Sequence, residues 1–149
     1  ETIEVAFTQA RSSGAVTVLN PAPARDIPAS LLSLVNIVVP NETESVAIGG
    51  TKQLLQSGVA TVVTTLGADG ASIDTASSTT HIAPYKVTPV DTVGAGDAFI
   101  GATCAELSRG SSIEDAARMG AIAGALATTV KGAVPSLPTR QAVLAAQKS

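Results

Sequence analysis

Residues Pro89 to Gly101 read PVDTVGAGDAFIG, and how this stretch is understood decides the fold. The glycines on either side of Ala95 let the backbone turn sharply and aim successive N–H groups into one concavity. Asp97 follows at once, where the run behind it predicts a helix over Ala98 to Ser108. The positive end of a helix strengthens such a concavity as a seat for a phosphate or a developing oxyanion. A carboxylate at its rim is placed to take a proton from a hydroxyl as it attacks phosphorus. The plainer reading is that Asp97 caps the helix while the glycines only make a turn. Two better-known glycine loops are excluded. A Walker A loop requires GxxxxGK followed by Ser or Thr, whereas Gly49-Gly50-Thr51-Lys52 places the lysine after the threonine with no partner glycine upstream. A dinucleotide fingerprint would need its third glycine at position 99, which is Phe99, so a hydride-transfer domain loses its support.

Upstream of this stretch, three apolar, β-branched runs read as strands buried on both faces: Ala15 to Leu19, Leu34 to Val39 and Ala60 to Leu66. Helix-compatible stretches lie before and between them, over Ile3 to Ser12, Ala29 to Leu34 and Thr51 to Gln56. That alternation predicts a parallel sheet with right-handed crossovers. GADGASIDT and then Thr79 to Ile82 predict an antiparallel hairpin at the sheet edge. Downstream, alanine-rich helices are predicted over Ile113 to Val130 and Thr139 to Gln147, with Gly101, Gly120 and Gly124 permitting close packing. No repeat and no polar linker interrupts the chain, so residues 1–149 read as one α/β unit.

Composition narrows the function classes. The 149 residues are 45% hydrophobic and 14% charged, which is a core-forming balance and not a disordered one. Nine Lys and Arg face twelve Asp and Glu, and only 2% of residues are aromatic, so nucleic acid is excluded as the main partner. No apolar run reaches the ~18 to 20 residues that span a bilayer, and Glu1-Thr2-Ile3-Glu4 offers no leader, so no membrane is expected. The lone Cys104 cannot form an internal disulfide and points to a reducing, cytoplasmic setting. His81, with no second His or Cys nearby, reads as an exposed or locally bonded side chain, and Phe99, Cys104 and Met119 read as packing residues.

Further motifs stand in order along the chain. Asn20-Pro21-Ala22-Pro23-Ala24-Arg25 follows the first strand run, and Asn41-Glu42-Thr43-Glu44 follows the second. Thr65-Leu66-Gly67-Ala68-Asp69-Gly70 closes the third, and Lys131-Gly132-Ala133 leads to Ser136. The Asn41 and Glu44 pair sits three apart on one face of a first helical turn and also makes a good capping box. Asn41-Glu42-Thr43 is a glycosylation sequon as well, a use that the absence of a leader argues against. The TLGADG stretch either admits backbone close to a flat ligand or makes an ordinary hairpin turn.

With DTVGAGD from Asp91 to Asp97, these motifs resemble those of the PfkB-type carbohydrate kinases, and NPAPAR resembles the ribokinase branch in particular. The resemblance implies a ribokinase-like three-layer α/β/α fold with a mostly parallel central sheet and an antiparallel edge hairpin. The N-terminal half with its glycine-rich sugar motif, and the lid that usually carries a homodimer contact, would be missing. It implies an ATP-dependent kinase of D-ribose, or of fructose, deoxyribose or a nucleoside, or else a nucleotide-binding fragment inactive on its own. By resemblance Asp97 is the base, and the amides of Gly94, Ala95 and Gly96 form the anion hole. Asn41 would contact the nucleotide phosphates and Glu44 would order Mg²⁺ through water. Thr65, Leu66, Gly67, Ala68, Asp69 and Gly70 would lie along the adenosine, with Gly96 and Asp97 at the phosphates. A monovalent cation such as K⁺ would sit between Asp91 and Val93 on one loop and Ala127, Val130, Gly132 and Ser136 on the other, as an activator. Relative to the family, the stretch between Glu44 and Thr65 is about a dozen residues short, with the join expected near Ile48 to Thr51.

Overall fold

The computed structural model describes residues 2–148. Its first helix, α1 (Thr2–Ser12), leads into β1 (Val18–Leu19), α2 (Ala29–Leu32) and β2 (Ile37–Val38). Two short helices, α3 (Glu42–Ala47) and α4 (Gly50–Gln56), precede β3 (Thr61–Thr65). β1, β2 and β3 pair in parallel, with Val18 opposite Ile37 and Ile37 opposite Thr61. The five strands run in the order β1-β2-β3-β4-β5, with β4 at Ala71–Asp74 and β5 at Thr79–Ile82. The four residues between β4 and β5 are pinned by Thr75 N–H on the Ser78 carbonyl at 2.9 Å, a connection so short that it permits only antiparallel pairing.

The strands are shorter than the apolar runs predict, for a local reason. Leu34 and Val35 amides donate to the Leu31 and Leu32 carbonyls, so the start of the second run completes the end of α2. At Thr17 only the carbonyl stays in the ladder, accepting from the Ile37 amide at 3.0 Å, while its N–H donates to Asn36 Oδ1 at 3.0 Å and its hydroxyl to the Leu34 carbonyl at 2.6 Å. The chain closes between α3 and α4 through Gly49 and Gly50, with φ of 96° and 80°, at the join expected near Ile48 to Thr51.

Two units emerge from the contacts. One takes in Glu1–Leu66 and Ser72–Thr80, the other Gly67–Ala71 and His81–Ser149. The first centres on Leu31, Leu32, Val35, Val38, Leu54, Val59 and Val62, which tie α2 and α4 to β2 and β3. The second is helical: α5 (Ala95–Leu107), α6 (Ile113–Ala127), α7 (Ala133–Ser136) and α8 (Arg140–Gln147), with a core of Met119, Ile122, Ala123 and Val143.

Within the second unit α5 and α6 lie in close contact. A Cβ at Gly120 would strike Thr103 Oγ1 and stand 2.8 Å from the Phe99 carbonyl, and one at Gly124 would stand 3.1 Å from that of Ala95. Gly101 corrects the expectation made for all three glycines: it is exposed and nothing lies within 4 Å of its Cβ position. Buried Glu106, near the end of α5, holds Arg140 of α8 by a forked ion pair, Nε to Oε1 at 2.7 Å and Nη2 to Oε2 at 3.2 Å. Among the described residues no helix is long and apolar enough to cross a membrane.

Candidate active site

In the first unit, the carboxyl ends of β2 and β3 bring four of the candidate residues together. Past Val39 and Pro40, Asn41 forms an isolated parallel bridge with Thr65, and Thr65 N–H donates to the Pro40 carbonyl at 2.9 Å. β1 ends before Pro21, which has no N–H to offer, and the Asn20 side chain supplies the donor instead, to the Val39 carbonyl at 2.8 Å. Asn41 then caps α3. Its Oδ1 accepts from the Glu44 amide at 2.8 Å while Glu44 Oε2 accepts from the Asn41 amide at 2.9 Å. The capping box is therefore real, and it holds both side chains at the exit of the parallel strands, where ligands of open α/β sheets bind. Glu44 keeps its second oxygen without a protein partner among the described residues, so it has a lone pair to offer a hydrated cation. Leu66 follows, half-buried.

In the second unit, Gly67, Ala68 and Asp69 form one exposed 3-10 turn, closed by Gly70 N–H on the Gly67 carbonyl at 3.3 Å. Gly70 is required by position: its φ is 88°, and a Cβ there would run into the Ile82 carbonyl and stand 2.8 Å from Pro84 N. His81, exposed on β5, reaches back with Nε2 2.9 Å from the Asp69 carbonyl, the local bonding expected of it.

The GAGD stretch opens α5. Gly94 stands outside the helix with φ of 84°, and its carbonyl accepts from the Ala98 amide at 2.9 Å. The helix therefore begins at Ala95, three residues before the predicted Ala98, and Asp97 lies exposed in its first turn. The Ala95 amide turns back to the Thr92 carbonyl at 3.2 Å. The amides of Gly94, Gly96 and Asp97 have no partner among the described residues and present the donors of a 13-residue helix. A Cβ at Gly94 would stand 3.1 Å from Ala133 Cα, so the turn rests against the start of α7.

Of the six residues matched to a cation loop, Asp91, Val93 and Gly132 are joined through one side chain. Asp91 Oδ1 accepts from the Val93 amide at 3.1 Å, and Oδ2 accepts from the Gly132 amide at 2.8 Å, 41 residues away in sequence. These bonds, that from Gly132 first, hold the Asp91 carboxyl below its ordinary range. The Val90 and Asp91 amides both donate to the Thr128 carbonyl, at 2.7 and 3.0 Å, which stops α6 at Ala127 where the sequence predicts helix to Val130. Val130 N–H reaches the carbonyl of buried Ala127, and buried Ser136 donates its hydroxyl to Ala133 at 2.8 Å. A carboxylate and backbone carbonyls are the donor types that suit a hard cation. Among the described residues no group of three or more His, Cys, Asp or Glu converges to cage a metal.

Sequence reasoning named Asp91 only as a cation ligand and missed that its carboxylate ties the two loops together. Only the distant Gly132 of the KGA stretch hinted at it.

Comparison with known proteins places these motifs in company. The pfkB family carbohydrate kinase pattern matches residues 1–140. A ribokinase of Staphylococcus aureus is 40% identical over 151 residues, covering 93% of this chain and 50% of its own length. The solved structure of Arabidopsis thaliana ribokinase, complexed with ribose and ATP, aligns with a TM-score of 0.89 and 29% identity, covering 99% of this chain and 52% of that one. A structure from E. coli described as a putative ribokinase II in complex with ATP and Mg²⁺ aligns at 0.84 and 26% identity, over 99% and 53%. The expected ribokinase-like fold is borne out, and the chain spans about half the length of the curated relatives it matches.

Proposed function

Because this chain belongs to the pfkB family of carbohydrate kinases, we propose that residues 1–149 form the C-terminal, nucleotide-binding and catalytic part of an ATP-dependent sugar kinase. Its reaction is transfer of the γ-phosphoryl of ATP to the 5-hydroxyl of D-ribose. The observation that carries the reading is the opening of α5, where a left-handed Gly94 precedes unpartnered amides of Gly96 and Asp97, with the Asp97 carboxylate exposed in the same turn. The ribose and ATP held by the Arabidopsis relative, and the ATP and Mg²⁺ of the E. coli structure, support the choice of substrates.

Each residue group has work of its own. The N–H groups of Gly94, Gly96 and Asp97 stabilise negative charge on the transferring phosphoryl, and Asp97 accepts the proton of the attacking hydroxyl. Ala95 joins them by releasing Thr92. Asn41 meets the phosphates, and the free oxygen of Glu44 orients water around Mg²⁺. When bound, Mg²⁺ neutralises phosphate charge, which is what phosphoryl transfer requires of it. The backbone from Thr65 to Gly70 lies along the adenosine, with glycine at the one position where a side chain would collide with β5. Asp91, Val93, Ala127, Val130, Gly132 and Ser136 would hold K⁺, which would keep the anion-hole loop ordered without taking part in the chemistry.

The test is made in the full-length protein. Asp97→Asn is expected to lower kcat by about 10² to 10⁴, with ATP affinity nearly unchanged. Retained turnover removes Asp97 as the base. A kinetic screen over ribose, deoxyribose, fructose and nucleosides should give ribose the highest kcat/KM, and a preference for any other acceptor overturns the ribose assignment. The 149 residues expressed alone should bind nucleotide without turnover, because no partner surface positions the hydroxyl.

A further inference from the structure

We propose that His81 is a positioning residue that holds the nucleotide loop in its binding shape and so sets how tightly ATP is held. The inference rests on the reading of Thr65 to Gly70 as the adenosine seat. The turn at Gly67–Asp69 has little of its own to keep it in place. It is exposed, its closing bond is 3.3 Å, near the long limit for N–H to O, and both Gly67 and Gly70 have positive φ. β5 grips it at two adjacent points. The Ile82 carbonyl lies against the Cα of Gly70, with Ile82 itself buried as the anchor, and His81 Nε2 takes the Asp69 carbonyl at 2.9 Å, the shorter of the two hydrogen bonds on the turn.

A carbonyl only accepts, so Nε2 carries the proton. Without the tether the turn samples more conformations before nucleotide binds, and binding must then order it. The His81 side chain holds the Asp69 carbonyl of the adenosine loop and is not among the residues assigned to the phosphates or the proton transfer, so the effect falls on nucleotide affinity. The sequence gives no sign of it, since nothing local pairs position 81 with position 69.

The experiment compares wild type, His81→Ala and His81→Gln in the full-length protein, using ATP as titrant and ribose as acceptor. His81→Ala should raise the Kd and KM for ATP about three- to tenfold, the scale of one hydrogen bond, with kcat and the KM for ribose unchanged. His81→Gln, whose side-chain amide keeps a donor at similar reach, should restore most of the affinity. Amide hydrogen exchange at Gly67 to Gly70 should quicken in His81→Ala and return towards wild type in His81→Gln. ATP binding and exchange that are both indifferent to His81→Ala overturn the tether while leaving the adenosine reading in place. A wild-type protein that binds no ATP overturns the adenosine reading itself, and this inference with it.

Discussion

Asp91 makes two bonds to backbone amides from opposite directions, and its carboxylate is held below its ordinary range chiefly by the amide of Gly132. An asparagine there keeps one accepting oxygen and turns an NH₂ group towards an N–H, so one of the two loops must let go. Asp91→Asn should therefore lower kcat by about tenfold, the equivalent of ~1.4 kcal/mol of positioning, with less change in the KM for ATP; steady-state kinetics check this. An unchanged kcat would mean that the loops hold each other without the carboxylate. At this scale the sequence was partly legible. Asn41 and Glu44 three apart spelled a capping box, and the box is there. That does not compete with a ligand role, because capping spends Asn41 Oδ1 and one Glu44 oxygen and leaves Asn41 Nδ2 and the other Glu44 oxygen at the strand exit. The Asp69 and Gly132 partners were not legible, since they lie 12 and 41 residues from the side chains they meet.

Among the elements, the α5 and α6 pair packs closely and tolerates little change at its contact. Gly120→Ala places a methyl group against Thr103 Oγ1 and the Phe99 carbonyl, and should destabilise the protein by about 1–3 kcal/mol in urea unfolding. Gly101→Ala, in the same helix as the GAGD turn but facing open space, should be neutral or stabilise by up to ~1 kcal/mol. Equal effects for the two would refute the close packing. The existence of these helices followed from alanine-rich composition, and that of the strands from β-branched runs that suit a sheet buried on both faces. Their ends did not follow. Gly94 starts α5 early by adopting a left-handed turn, and the Val90 and Asp91 amides stop α6 early by taking the Thr128 carbonyl. Both boundaries are set by tertiary contacts that periodicity does not encode.

For the molecule as a whole, three carboxyl groups among the described residues titrate below their ordinary values. Glu106 does so mainly through Arg140, Asp91 through the Gly132 amide, and Glu4 through the hydroxyl of Ser30. The folded state therefore binds fewer protons than the unfolded chain. Their stabilisation is complete above the ordinary carboxylate range and is lost as pH falls through the lowered folded values. The urea midpoint should hold steady from about pH 7 to 6 and drop between about pH 5 and 3, with the drop smaller in Glu106→Gln. A midpoint that does not fall in acid would show that these pairings contribute nothing net. Whole-chain family membership was legible because ordered motifs run from Asn20 to Ser136, whereas the division into two units was not, because Gly67 to Ala71 joins residues from His81 onward by contacts that local sequence does not reveal.

The clasp at Asp91 also bears on how this loop can drift over generations. Val93 contributes only its backbone N–H and its side chain is exposed, so that position is open to many replacements. Gly132 likewise gives only an amide, but its φ of 89° keeps side chains out, and Asp91 alone must keep its own functional group. Three partners in one small network thus face three different filters on inherited change, and a search by residue identity will see two of them and pass over the third.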